Sequence, residues 1–228
     1  MLDVKLNFRA DFRRIIDEIL IANAIELDLA EDYGLAVYRY FANARRRVTR
    51  QRYTVVEAKE LVCPSLLMQG YEELKSELEV GADVTARLSR KRHIATFEDQ
   101  LLNEWGIVHF HVGCRDAQGD VPGNDAVLFA FISGEVMHCI GFFPHRSWSN
   151  IKPLEILQRN WPEVIEHARA WGLTGYEWSE AERARFRKHG GNVLSLVNGV
   201  VYTPSAVDTL LRGHRCKPTK RPTTLLAK

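Results

Sequence analysis

Near residue 106 the hydrophobic period of this chain changes from about 3.6 residues to 2, and that switch fixes the fold class before any motif is considered. Upstream, Phe8, Phe12, Ile15, Ile16, Ile19 and Leu20 recur at helical spacing. A second helix is expected from Asp32 to about Val48, with Leu35, Tyr38, Phe41 and Ala42 facing inward. A third follows Pro64, with Leu66, Leu67, Tyr71, Leu74 and Leu78 as its apolar stripe and Gly81 at its end. Downstream, Val108, Phe110 and Val112 alternate with His109 and His111, then come the apolar runs Ala126–Ile132 and Val136–Phe143. The stretch 116–125 is rich in Gly, Pro, Asn and Asp and reads as a loop. Ser133-Gly134 reads as a hairpin turn, and Pro144 stops the third strand.

Helical signals return further on. Asn160-Trp-Pro-Glu163 carries an N-cap, an early proline and a glutamate three residues on, predicting a helix that ends at Gly172. Ser179-Glu-Ala-Glu182 is a second capping box, for a helix ending at Gly190-Gly191. Asn198-Gly199 between Val193–Val197 and Val200–Tyr202 predicts a hairpin with a type I′ turn. The expected architecture is therefore α+β: a helical N-terminal half followed by an antiparallel sheet of about five strands flanked by helices. It divides into a helical region (1–100), an α+β region with the sheet (101–211) and a basic tail expected to be disordered (212–228).

Composition narrows the class. The chain has 228 residues, 46% hydrophobic and 26% charged, as a globular protein requires. It has no apolar run of about 18 residues, so no membrane span or membrane partner is expected. Met1–Ala10 lacks the apolar centre of a signal peptide. Cys63, Cys114, Cys139 and Cys216 are widely spaced, with no C-x-x-C pair. This argues against a structural zinc knot or a disulfide framework and for a reduced, cytoplasmic protein. The net charge of +2 hides basic clusters at Arg45–Arg47 with Arg50 and Arg52, at Arg87 and Arg90–His93, at Arg183–His189, and in the tail. Such clusters suit a phosphate-bearing partner, although Arg45–Arg47 also complement a helix C-terminus.

The chemistry-bearing residues are histidines. His109 and His111 lie two apart on one strand, so they share a face about 7 Å apart. His145-Arg146 falls at the end of the third strand, with Trp148 just beyond. His138 reads as a core histidine, and Trp105 and Trp161 as packing residues.

The order strand, polar loop, strand, tight turn, strand, His-Arg from Ile107 to Trp148 resembles the core of RelE-like bacterial toxins, small RNA endonucleases built on such a meander. The resemblance covers about 45 residues. Val127–Ile132 with Ser-Gly-Glu is similar to the family's middle hairpin, and His145-Arg146 falls where its last basic cluster lies. Ala126 or Val127 stands where the middle strand often holds arginine, and family members are shorter than this chain. The resemblance implies metal-independent RNA cleavage by a toxin or phage-defence effector. RNA, on or off the ribosome, would be the substrate, and an antitoxin or inhibitor protein the partner. Histidine serves as base or acid near neutral pH, and arginine matches phosphate oxygens. On this reading His109 or His111 is the base, His145 the acid and Arg146 the phosphate clamp, with no cofactor and no metal. Arg45, Arg46, Arg47, Arg115 and Trp148 would contact nucleic acid, Trp148 by stacking.

Three alternatives stand beside it. His109, His111 and His145 could ligate a metal, in the manner of the His-x-His of cupins. Arg87 to His93 and Arg183 to His189 each fit the R-x4–6-H spacing of HEPN ribonucleases on helices. A non-catalytic nucleic-acid-binding or antitoxin-like regulator would use the basic patches alone.

Overall fold

A computed structural model of the chain describes residues 7–23, 25, 32–94, 97, 99–117, 119, 121, 123–189, 191 and 193–204. The basic tail lies outside the described residues. The fold is α+β. A pair of helices, α1 (Phe8–Ala22) and α2 (Tyr33–Arg45), precedes strand β1 (Thr54–Glu57) and helix α3 (Met68–Val80). Then come α4 (Gln100–Trp105), β2 (Ile107–Phe110), β3 (Ala126–Ser133) and β4 (Val136–Pro144). Helices α5 (Lys152–Asn160), α6 (Pro162–Ile165) and α7 (Glu180–Lys188) lead to the hairpin β5 (Ser195–Val197) and β6 (Val200–Tyr202).

The main sheet has four strands in the order β1-β4-β3-β2, not five, and it is mixed. The expected meander β2-β3-β4 is antiparallel throughout. Strand β1, inside the half expected to be helical, adds to β4 in parallel, pairing Thr54 with Val136 and Glu57 with Cys139. Its signal is the β-branched Thr54-Val55-Val56, four residues too short to show a period. The Asn198-Gly199 hairpin forms as expected, with φ of 47° and 80°, but as a separate two-stranded sheet.

Both faces of the main sheet are covered over its centre, so β2 and the middles of β3 and β4 are buried without alternating, while β1 stays partly exposed. Val108, Phe110, Leu128, Ala130, Met137 and Cys139 pack on α3 through Tyr71, Leu74 and Leu78. Ile107, Val127, Phe129, Ile140 and Phe143 face α5 through Leu154 and Leu157. Each such side chain, fully buried, contributes about 1.5–3 kcal/mol. Residues on either side of position 100 share the first of these cores, so that boundary does not separate two structural units.

Several helical details differ from the sequence reading. Leu35 and Phe41 of α2 are exposed, and Ala36, Ala42 and Asn43 are the buried residues. Leu66 is exposed, while Leu67, Tyr71, Leu74 and Leu78 form the stripe as expected. Asn160 ends α5 instead of capping a new helix. Its side chain accepts from the Lys59 amide at 3.1 Å and donates to Glu60 at 2.7 Å, ties to a distant loop that outweigh a local cap. The helix beginning at Pro162 stops after one turn, continuing only as a short 3-10 turn, Glu166–Ala168. The Ser179–Glu182 capping box forms as expected at the start of α7.

Candidate active site

Three devices bring the histidines together. His109 sits on β2, paired opposite Phe129 of β3. His111 follows β2, and its amide donates to the Arg87 carbonyl at 2.7 Å. His145 leaves β4 in a turn closed by Ser147 N–H donating to the Pro144 carbonyl at 3.1 Å. The ring centroids of His109 and His111 lie 5.8 Å apart, His111 and His145 5.6 Å, and His109 and His145 6.5 Å. Neither strand histidine is a solvated polar position: His109 is 5% and His111 8% exposed.

His109, His145, Arg146 and Trp148 border an open cleft of about 440 Å³. Ser89, Lys91, Phe97, Asp99 and Gln100 complete its lining. His111 lies behind the cleft, packed against His109 and His145. Asp99 caps α4 by accepting from the Leu102 amide at 3.2 Å, and its other carboxylate oxygen is 3.2 Å from His109 Nδ1. A carboxylate there fixes the imidazole tautomer and holds the ring, leaving Nε2 for chemistry. Trp148 lies 4.7 Å from His109 and stacks at 5.7 Å on Phe129, which anchors it to the sheet.

Burial favours the neutral forms of His111 and His145. Burial, with His109, His145 and Arg90 nearby, pulls His111 down to about 4. Burial, with His109, Arg146 and Lys91, lowers His145 from its usual range. Arg90, Lys91 and Arg146 form no ion pair among the described residues, so their charge is available to an anion. Arg146 also holds φ at 83°, a left-handed conformation at the third position of its turn where glycine is the unstrained choice.

The other arginines expected to meet nucleic acid are engaged elsewhere. Arg45 donates to the carbonyls of Leu102 and Asn103, Arg46 to those of Ala42 and Ile94, and Arg47 to Asn43 and the Asn23 carbonyl. Arg115 donates to Glu77 at 2.8 Å and to the Gly119 carbonyl at 2.7 Å. None of these four lines the cleft, although the Arg46 guanidinium lies 5.7 Å from the Phe97 ring. Arg87 is fully buried and paired with Glu77 at 2.6 Å and Glu73 at 3.3 Å. Burial works to raise the Glu77 carboxyl, but hydrogen bonds from Arg87 and Arg115 hold it below its usual range.

The two R-x4–6-H segments differ in structure, and only the second lies on an α-helix. Arg87 and Arg90–His93 belong to two separate 3-10 turns. In α7, Arg187 pairs with Glu104 of α4 and donates to the Trp148 carbonyl, while Arg183 donates to the Ser149 carbonyl at 2.7 Å. These two arginines pin the loop that carries Trp148. Among the described residues, no group of three or more His, Cys, Asp or Glu side chains is arranged to hold a metal ion. No described helix is long and apolar enough to cross a membrane.

Sequence reasoning found His109, His111, His145, Arg146 and Trp148, which the fold brings together. It missed Asp99, Lys91 and Phe97. Asp99 carried a usable signal, an acid three residues before Leu102 at a helix start. Lys91 was visible only as part of a basic run. Comparison with protein-family models, with curated proteins and with solved structures finds no match to this chain.

Proposed function

We propose that the chain is a metal-independent RNA endonuclease working at the His109–His145 cleft. The observation that carries this reading is the pairing of two cleft histidines, one braced by Asp99, with the unpaired cations Lys91 and Arg146 on the same cleft. The base removes the proton of a ribose 2′-hydroxyl, and that oxygen attacks the adjacent phosphorus. The acid delivers a proton to the departing 5′-oxygen. The products are a 2′,3′-cyclic phosphate and a 5′-hydroxyl. Lys91 and Arg146 offset the charge that develops on the phosphate oxygens. Trp148 and Phe97 offer faces for stacking.

The lowered proton affinity of His145 and the carboxylate beside His109 Nδ1 favour the reverse of the sequence assignment of roles. Burial and the neighbouring cations lower the proton affinity of His145, which favours its neutral form and suits the base. His109, with Asp99 at Nδ1, suits the acid. His111 backs both rings and positions them. The RelE-like resemblance of the β2-β3-β4 meander agrees with this reading and suggests a toxin or defence effector, with an inhibitor protein as partner and the cytoplasm as its place of action. Among the described residues, the arrangement of ligand-type side chains lends the metal-binding alternative no support.

The test is mapping of RNA 5′ ends across the transcriptome after brief induction in a bacterial host. New 5′-hydroxyl ends that vanish in His145→Ala and in His109→Ala support the proposal. No new ends with confirmed expression, or ends that persist in both variants, contradict it.

A further inference from the structure

The N-terminal helix leaves more of its large apolar side chains in solvent than it buries. Phe8 is 76%, Phe12 40%, Ile15 44% and Ile19 37% exposed, while Ile16 and Leu20 are buried with Ala36 of α2. These four residues step along α1 by four, three and four positions, the spacing of a helix–helix seam, while the fifth exposed apolar residue, Ile21, lies off that strip. A strip of that spacing normally marks a face covered by another helix. Here α2 covers only the neighbouring face, through Ile16 and Leu20.

We propose that this strip docks against the same strip of a second copy of the chain, so that two α1–α2 pairs join as a two-fold four-helix bundle. A phenylalanine offers roughly 200 Å² of buriable surface, and with the two isoleucines the patch approaches about 400 Å² per copy, a size that marks interaction sites. Two such patches face to face bury about 800 Å² before flanking side chains are counted, near the threshold of about 1,000 Å² for a specific interface. The flanking charges do not ask for a charged partner. Arg13 pairs with Asp17 at 2.9 Å and Arg14 with Glu18 at 3.0 Å within the helix. Over the whole of α1, Arg9, Arg13 and Arg14 balance Asp11, Asp17 and Glu18, so the helix can meet its own copy at little electrostatic cost, as a two-fold contact requires. The strip is also partly ordered in advance, since Phe12 leans on Tyr33 at 6.4 Å and the Arg9 guanidinium sits 4.8 Å from that same ring. A helix of 15 residues makes a weak coiled coil alone, but each α1 is already held by its α2. This inference is independent of the chemistry proposed for the cleft.

The experiment is sedimentation equilibrium on the full chain over a concentration series spanning the micromolar range, with Phe8→Glu and Ile15→Glu measured alongside. The expected mass rises with concentration toward twice 26.1 kDa. Each variant should weaken association at least tenfold while its circular dichroism stays that of the parent, because both positions are exposed within one copy. A parent that stays monomeric throughout the series overturns the proposal. So do charged variants that fold and dimerise as the parent does.

Discussion

At the scale of single residues, the cleft has been built at some expense to stability. Arg146 occupies a left-handed position that costs a non-glycine residue about 1 kcal/mol. Arg146→Gly is therefore expected to hold or raise the urea midpoint while lowering affinity for RNA. A loss of stability on that change would mean the arginine is structural. His111 makes a second residue-scale prediction. Its folded pKa, about 4, lies below the ordinary value, so between pH 6.5 and 4 the unfolded chain binds the extra proton. The stability this group contributes is complete above about pH 6.5 and drains as pH falls toward its folded value. The loss is about 2 kcal/mol once solvent screening is allowed for. His138, also lowered by burial, acts in the same direction. Urea unfolding of the parent at falling pH should show the loss, and His111→Gln should flatten part of it.

At the scale of elements, the site depends on contacts that no local pattern announces. Helix α3 crosses the end of β2 so closely that a Cβ on Gly70 would stand 1.9 Å from the Val112 carbonyl oxygen. Gly70→Ala must displace the chain next to His111 and is expected to cost at least about 2 kcal/mol and to depress cleavage. Thermal melts and rates on the same preparation check both; an unchanged melt would show that α3 can shift freely. The buried Glu104–Arg187 pair is the comparable device on the other side, joining α4 to the loop of Trp148. This explains what was legible. The meander, the capping box at Ser179 and the Asn198-Gly199 turn are local signals, and the fold keeps them. Strand β1 exists only because β4 offers it an edge, and Asn160 trades its cap for Lys59 and Glu60. The histidines were found because alternation along one strand is local. Alternation alone does not tell a solvent face from a second buried face, and a second covering layer buries His109 and His111. Asp99 and Lys91 reach the cleft only through tertiary packing.

At the scale of the molecule, two sets of basic residues stand apart. Arg45, Arg46, Arg47, Arg87, Arg183 and Arg187 are tied to carbonyls or carboxylates and hold the fold together. Arg90, Lys91 and Arg146 have no ion-pair partner among the described residues and surround the histidines. Single-stranded RNA binding should thus lose about 0.7 from the slope of log K against log salt when Lys91 becomes Gln. Arg47→Gln should leave that slope unchanged, whatever it does to stability. Equal slopes for Lys91→Gln and the parent would remove Lys91 from the phosphate path.

The central claim is that paired histidines cleave RNA through its own 2′-hydroxyl. It is tested most directly by incubating the purified protein, in excess chelator, with an RNA it cuts and with the same RNA carrying one 2′-deoxy residue at the cut position. The account predicts a cyclic phosphate product from the first, no cut at the deoxy position in the second, and loss of cleavage in both His109→Ala and His145→Ala. Cleavage at the deoxy position, or cleavage abolished by the chelator and restored by a divalent metal, would contradict it.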